Sequence, residues 1–244
     1  MASPTLKRNV KLFITKFLDE SRKKLNDCFN ECIKGHHLID DDSIIGTHWE
    51  NLNAEIIVAS GYKIHSQSNG SHKPGKDLSC SIGSLSNKTA KYTRGNISFK
   101  VSSYRLTAVC KGNDIDKIVA EIERRKNFKY YSILVRSEKK NEIHYDWYLI
   151  PSDYPQFNPR LYVWTPKVGT AGKNKGVMTG WETNISNGSY MQITDVTSAE
   201  LWINVVITEE MKTFIIGSCD VNKANKAINY IQLYQLLHNR ESAR

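Results

Sequence analysis

The chain has 244 residues, and 34 Lys and Arg against 25 Asp and Glu give a formal net charge of +9. That length fits a single domain with its own hydrophobic core, so folding needs no disulfide or metal staple. A 40% hydrophobic content with no run of about 18 apolar residues excludes a membrane-spanning helix, and 12 Tyr, 7 Phe and 5 Trp exclude wholesale disorder.

Met1–Arg8 has no apolar core of the secretory kind, so the sequence predicts a cytoplasmic protein. Residues 5–34 are expected to form one amphipathic helix, because Leu6, Val10, Phe13, Phe17, Leu25, Phe29 and Ile33 recur at three- and four-residue steps. Gly35 is its natural stop. Cys28 and Cys32 share a face of that helix, while Cys80, Cys110 and Cys219 are scattered, which suits reduced thiols better than a zinc site. Asp40-Asp41-Asp42-Ser43 can cap a second helix over 44–60. Alternation predicts strands at 62–66, 77–82 and 96–102, separated by polar connections at 67–76 and 83–95. A helix at 115–126 follows, then strands at 130–136 and 143–150 joined by a turn at Glu138–Asn141. Residues 151–189 are polar and rich in Pro, Gly, Asn and Lys, and a connection of that length is commonly functional. Strands at 190–194, 199–207 and 212–217 and a closing helix at 221–238 complete the chain. The expected fold is α/β, a mixed central β-sheet flanked by helices in one domain over 1–244.

The chemistry concentrates between Gly46 and Lys100. Asp77 opens a strand after a Pro-Gly loop, and Lys100 lies in the next predicted strand, two residues after Ser98. Two adjacent antiparallel strands would bring Asp77 and Lys100 together at one end of a sheet. An aspartate is a hard oxygen ligand suited to Mg²⁺. A neighbouring lysine can orient a water or stabilise charge on a phosphoryl group. Glu50, on the preceding helix, can bring a second carboxylate. The sequence carries no phosphate-cradling glycine-rich loop, so no nucleotide cofactor is expected.

The pattern Lys73-Pro74-Gly75-Lys76-Asp77 followed by Ile97-Ser98-Phe99-Lys100, with Glu50 on the helix upstream and Gly61-Tyr62 leading into the first strand, resembles the PD-(D/E)xK nucleases. Type II restriction endonucleases are the small, basic, stand-alone members it resembles most. The resemblance covers residues 46–100. It implies a restriction-endonuclease-like core spanning about 44–150 and 190–240, with 151–189 as a DNA-recognition excursion. It also implies Mg²⁺-dependent, site-specific cleavage of double-stranded DNA by a homodimer. Asp77 and Glu50 would hold the metal and Lys100 would act as the catalytic lysine. Ser98 takes the place where the family has Asp or Glu. Phosphate and base contacts would come from Lys73, Lys76, Lys88, Lys91, Arg94, Arg105, Arg160, Lys173, Asn174, Lys175, Asn187 and Gln192. The alternative is a non-catalytic DNA- or RNA-binding protein whose nuclease-like site has decayed, with Ser98 as the mark of decay.

Overall fold

Helix α1 (Asp19–Ile39) buries Leu25, Phe29 and Ile33, one stripe at four-residue spacing. The computed structural model describes residues 19–68, 75–93, 95, 97–110, 114–194, 199–223, 228–233 and 235, so the predicted helical residues 5–18 lie outside the described residues. The helix continues through Gly35 to Ile39. Its last turn is held by His37, which is buried and shares hydrogen bonds with the Tyr145 hydroxyl and the Asp40 carbonyl. Helix α2 (Gly46–Ala59) follows, with Trp49, Asn53, Ile56 and Ile57 as its inward stripe.

The described residues hold eleven strands in one mixed sheet. They are β1 (Ile64–Gln67), β2 (Leu78–Cys80), β3 (Gly83–Thr93), β4 (Ser98–Arg105), β5 (Tyr130–Glu138), β6 (Glu142–Pro151), β7 (Trp164–Val168), β8 (Met178–Thr183), β9 (Tyr190–Thr194), β10 (Glu200–Val206) and β11 (Ile215–Asn222). Their order is β11-β6-β5-β3-β4-β10-β9-β8-β7, and β1-β2 attaches to β3. Only β3 and β5 run parallel; α3 (Thr107–Cys110) and α4 (Ile115–Arg125) lie in the connection between β4 and β5, as a parallel pair requires a crossover. A short α5 (Glu209–Lys212) precedes β11.

Three expectations change. Residues 83–93, expected as a polar connection, form the longest strand of the sheet. Residues 151–189, expected as an irregular excursion, contain β7 and β8, which extend the sheet through β9. The predicted strand at 212–217 is displaced to 215–222, and residues 221–222 of the predicted closing helix finish β11. Within that helix, residues 230–233 are helical, with Tyr230 and Ile231 exposed.

One face of the sheet packs on α1 and α2. Phe29 stacks on Trp147 at 5.8 Å, and Trp49 meets both edge-on at 6.3 and 5.7 Å. Both indole N–H groups end on Ser132: Trp49 Nε1 donates to its carbonyl at 3.2 Å and Trp147 Nε1 to its hydroxyl at 2.9 Å. Buried polar handles are thereby satisfied. Gly217 admits the Phe29 ring, since a Cβ there would come within 2.7 Å of it. The opposite face carries Phe128, Tyr131 and Phe157 beside the end of α4, and Phe99 against Tyr148. Along β11 the helix does further duty. Arg22 donates to the Thr213 and Ile215 carbonyls, Asn26 accepts from the Ser218 N–H at 2.9 Å, and Asn30 donates to the Ser218 carbonyl at 2.8 Å. This i, i+4, i+8 ladder covers an edge strand that would otherwise offer bare backbone. Among the described residues no helix is long and apolar enough to cross a membrane.

Candidate active site

The site arises from how β3 is paired. On one edge β5 runs beside Leu85–Lys91. On the other edge β2 covers Gly83–Leu85 and β4 covers Lys91–Thr93, so residues 86–90 between them face neither strand. The sheet forks there, and the fork leaves backbone groups of β3 in need of partners. Asp77 and Lys88 supply them. The Asp77 Oδ2 accepts the Asn87 N–H at 2.7 Å and the Ser86 hydroxyl at 3.2 Å, and the Lys88 ammonium donates to the Asn87 carbonyl at 3.0 Å. Lys88 Nζ also lies 3.7 Å from Asp77 Oδ2, with both side chains about four-fifths buried.

Asp77 is fixed by its own backbone as well. Its N–H donates to the Leu85 carbonyl and its carbonyl accepts from Ser68, both at 2.9 Å, so it is clamped between the end of β1 and the start of β3. Gly75 permits the approach. Its φ is +108°, and a Cβ there would meet the Asn127 side chain at 2.0 Å and the Arg125 carbonyl at 2.6 Å. Only glycine tolerates both demands.

Glu50 projects from the first turns of α2, whose start is tied to β3 by a Gly46 N–H to Thr89 Oγ1 bond at 3.4 Å. Burial raises the Glu50 pKa, the nearby Asp77 carboxylate raises it further, and Lys88 offsets part of the shift. The structure places Asp77 and Lys88 side by side, with Ser86 two residues before the lysine, and Glu50 on α2 near enough to feel both charges. Asp77 Oδ1 and both Glu50 oxygens take no hydrogen bond among the described residues. That leaves two hard, anionic oxygen donors beside a cation, a set suited to Mg²⁺.

Lys100 and Ser98 are elsewhere. Strands β2 and β4 were expected to be neighbours, but β3 lies between them. Lys100 pairs in register with Lys91 and holds its ammonium 4.6 Å over the Trp202 ring. Ser98 closes the β3–β4 hairpin, its hydroxyl 2.9 Å from that of Thr93. Lys88, expected among the phosphate contacts, is the lysine beside Asp77. One signal pointed to it: Ser86-Asn87-Lys88 has the same Ser-x-Lys spacing as Ser98-Phe99-Lys100 and stands nearer to Asp77.

The remaining candidates spread over the molecule. Lys76 is exposed beside Asp77, and Lys91 pairs with Glu138 at 3.3 Å. Arg105 ends β4, and Arg160 lies 4.0 Å from Glu123. Lys173, Asn174 and Lys175 sit at the tip between β7 and β8, Asn187 takes a positive φ of 50° in the turn before β9, and Gln192 is on β9. Lys73 and Arg94 lie outside the described residues.

A second polar cluster joins β6 to β11 and β3. His144 bridges Asp146 at 2.9 Å and Asp220 at 2.7 Å. Asp146, nearly buried, also accepts from the Tyr92 hydroxyl at 2.6 Å and from Ser218, and Tyr92 contacts the Tyr148 hydroxyl at 2.8 Å. The Asp146 hydrogen bond, with help from Asp220, lifts the His144 pKa to about 9. Burial pushes Asp146 upward, but its bonds from His144, Ser218 and Tyr92 outweigh that and hold it below the usual carboxylate value.

Comparison with protein-family models, with curated proteins and with solved structures finds no match to this chain.

Proposed function

We propose that the protein is a Mg²⁺-dependent endonuclease acting on double-stranded DNA, with its active site at the fork of β3. The observation that carries this reading is the convergence of Asp77, Glu50 and Lys88 on the bare stretch of one strand. It restates the PD-(D/E)xK resemblance with Lys88 in place of Lys100, and Ser86 in place of Ser98 at the position where the family has an acid. The homodimer follows from the resemblance alone.

Asp77 and Glu50 would hold the magnesium ion, which supplies charge stabilisation at the scissile phosphate and a more acidic bound water. The chain's own residues do the rest. The Asn87 N–H and the Ser86 hydroxyl fix one oxygen of Asp77, so its other oxygen points in a set direction. Lys88 is positioned to orient the attacking water and to meet negative charge that develops on the phosphate. Glu50 supplies the charge that Ser86 lacks, and its pKa is raised first by burial and then by the Asp77 carboxylate.

The test is digestion of long phage DNA with Mg²⁺ by the wild type and by Asp77→Asn, Lys88→Ala and Lys100→Ala. Discrete fragments are expected from the wild type. Asp77→Asn and Lys88→Ala should lose about a hundred- to a thousandfold in single-turnover rate at saturating protein, as removal of a charge-stabilising group does. Lys100→Ala should keep its single-turnover rate. Cleavage that survives both Asp77→Asn and Lys88→Ala would remove the fork as the site. Salt-sensitive DNA retention without any cleavage would favour the binding-protein alternative.

A further inference from the structure

Among the described residues, the sheet face that carries α2 continues past the fork without a helix on it. Asn87, Thr89 and Lys91 alternate onto this face, since Thr89 Oγ1 meets the α2 N-terminus. In-register pairing extends it outward: Lys91 with Lys100, Lys100 with Asn204, Asn204 with Tyr190, Ser102 with Trp202, and Trp202 with Gln192. Among the described residues α1 and α2 pack on β11, β6, β5, β3 and β1. Lys91 and Lys100 are exposed, and Trp202, Tyr190 and Gln192 are partly exposed.

The charges on this face are unevenly engaged. Glu200 accepts from the Ser102 hydroxyl, Glu182 lies 3.9 Å from Lys167, and Lys91 is 3.3 Å from Glu138. Lys100 has no carboxylate partner among the described residues; its ammonium rests on the indole of Trp202. An exposed lysine held over an aromatic ring, in a chain of net charge +9, is arranged for a phosphate with a base or sugar beside it.

We propose that the face of β4, β10 and β9 is the track along which a DNA strand lies as it enters the fork, with Lys100 and Lys91 on phosphates and Trp202 against a base or sugar. The track begins at Lys91 on the face that carries α2 and Glu50; Lys88 starts from the other face, but its ammonium lies in the open fork at the Asn87 carbonyl, where a strand on the track reaches it. This inference rests on the reading of the fork as a DNA-cleaving site, but it concerns binding and can be measured without cleavage.

The experiment is equilibrium binding of a fluorescent DNA duplex in EDTA, over a range of salt, by wild type, Lys100→Gln, Trp202→Ala, Trp202→Phe and, as a control on α4, Lys117→Gln. Lys100→Gln should reduce the slope of log affinity against log salt by about one. Trp202→Ala should weaken binding about tenfold, with Trp202→Phe closer to wild type. Lys117→Gln should bind as wild type does. Lys100 is exposed, so its variant tests the face without threatening the fold. Unchanged affinity and slope in both Lys100→Gln and Trp202→Ala would overturn the track, as would a wild type that retains no DNA. Cleavage by a protein whose binding ignores Lys100 and Trp202 would remove the track and leave the fork standing. Binding that needs both residues in a protein that never cuts would keep the track and remove the nuclease.

Discussion

Asp77 is held by backbone more than by side chain. Its N–H and carbonyl are tied to Leu85 and Ser68, and Gly75 crowds the end of α4 two residues earlier. Gly75→Ala should therefore cost about 2–4 kcal/mol of stability, from the positive φ and the clash together, and should also lower any cleavage rate because Asp77 moves; denaturant melts and single-turnover assays read the two effects. Glu50 shows the opposite tension. A carboxylate whose pKa is raised in the folded state contributes stability only while protonated, and loses it as pH climbs through the folded value. Glu50→Gln is thus expected to raise the melting temperature by about 1–2 °C at pH 7 and to give no gain near pH 4. Equal melting temperatures at both pH values would refute this. The placement of Asp77 after a Pro-Gly loop and of Glu50 on a helix was legible in the sequence, because both features announce themselves locally. Lys88 was not, because two Ser-x-Lys pairs follow Asp77 and only the second lies in an alternating apolar pattern.

The same misreading has its cause in β3 as an element. Gly83-Ser84-Leu85-Ser86-Asn87-Lys88-Thr89 is poor in the β-branched and aromatic residues that mark strands, yet it lies near the middle of the sheet. Its polar residues line the fork, where Ser86 and Asn87 donate to Asp77 and Lys88 pairs with it. The strands whose burial alternates or runs continuously, β5, β6 and β10, were all readable, as was α4. Between β6 and β11, His144 sits between two carboxylates with its pKa raised to about 9. A histidine raised in this way stabilises fully below its unfolded value near 6.5, and the contribution disappears as pH rises through about 9. The melting temperature should decline between pH 7 and 9.5, and His144→Gln should start lower at pH 7 and lose that decline. Arg22 on α1 caps the outer edge of β11 through two carbonyls. Arg22→Met should cost about 1.5–3 kcal/mol, the scale of a charged hydrogen-bond donor removed from its acceptors, read by urea unfolding.

Across the whole molecule the sheet is unbroken. Residues 151–189 were legible as a special region by composition, but their backbone pairs with β9 and so with the core. Excising 164–183 should not yield a trimmed, well-behaved protein. It bares the edge of β9, and the product is expected to form larger assemblies than the full chain does in size-exclusion chromatography. A folded excision product no more associated than the full chain would show that β7 and β8 are an appendage. The long excursion escaped a sequence reading because its strands are short, half exposed and punctuated by Gly and Pro, so no period emerges.

The ladder from Arg22, Asn26 and Asn30 joins the first described helix to the last described strand, across about 190 residues of chain. During synthesis α1 leaves the ribosome early, with Phe29 and its polar ladder facing a surface that does not yet exist. Strand β6 likewise waits with one side open until residues 215–222 emerge. Closure is therefore a late, long-range event, slow by the entropy of joining distant segments. A nascent chain arrested before β11 would present both an apolar helix stripe and an open strand edge, the features chaperones recognise, and release of the final segment would conceal the two together.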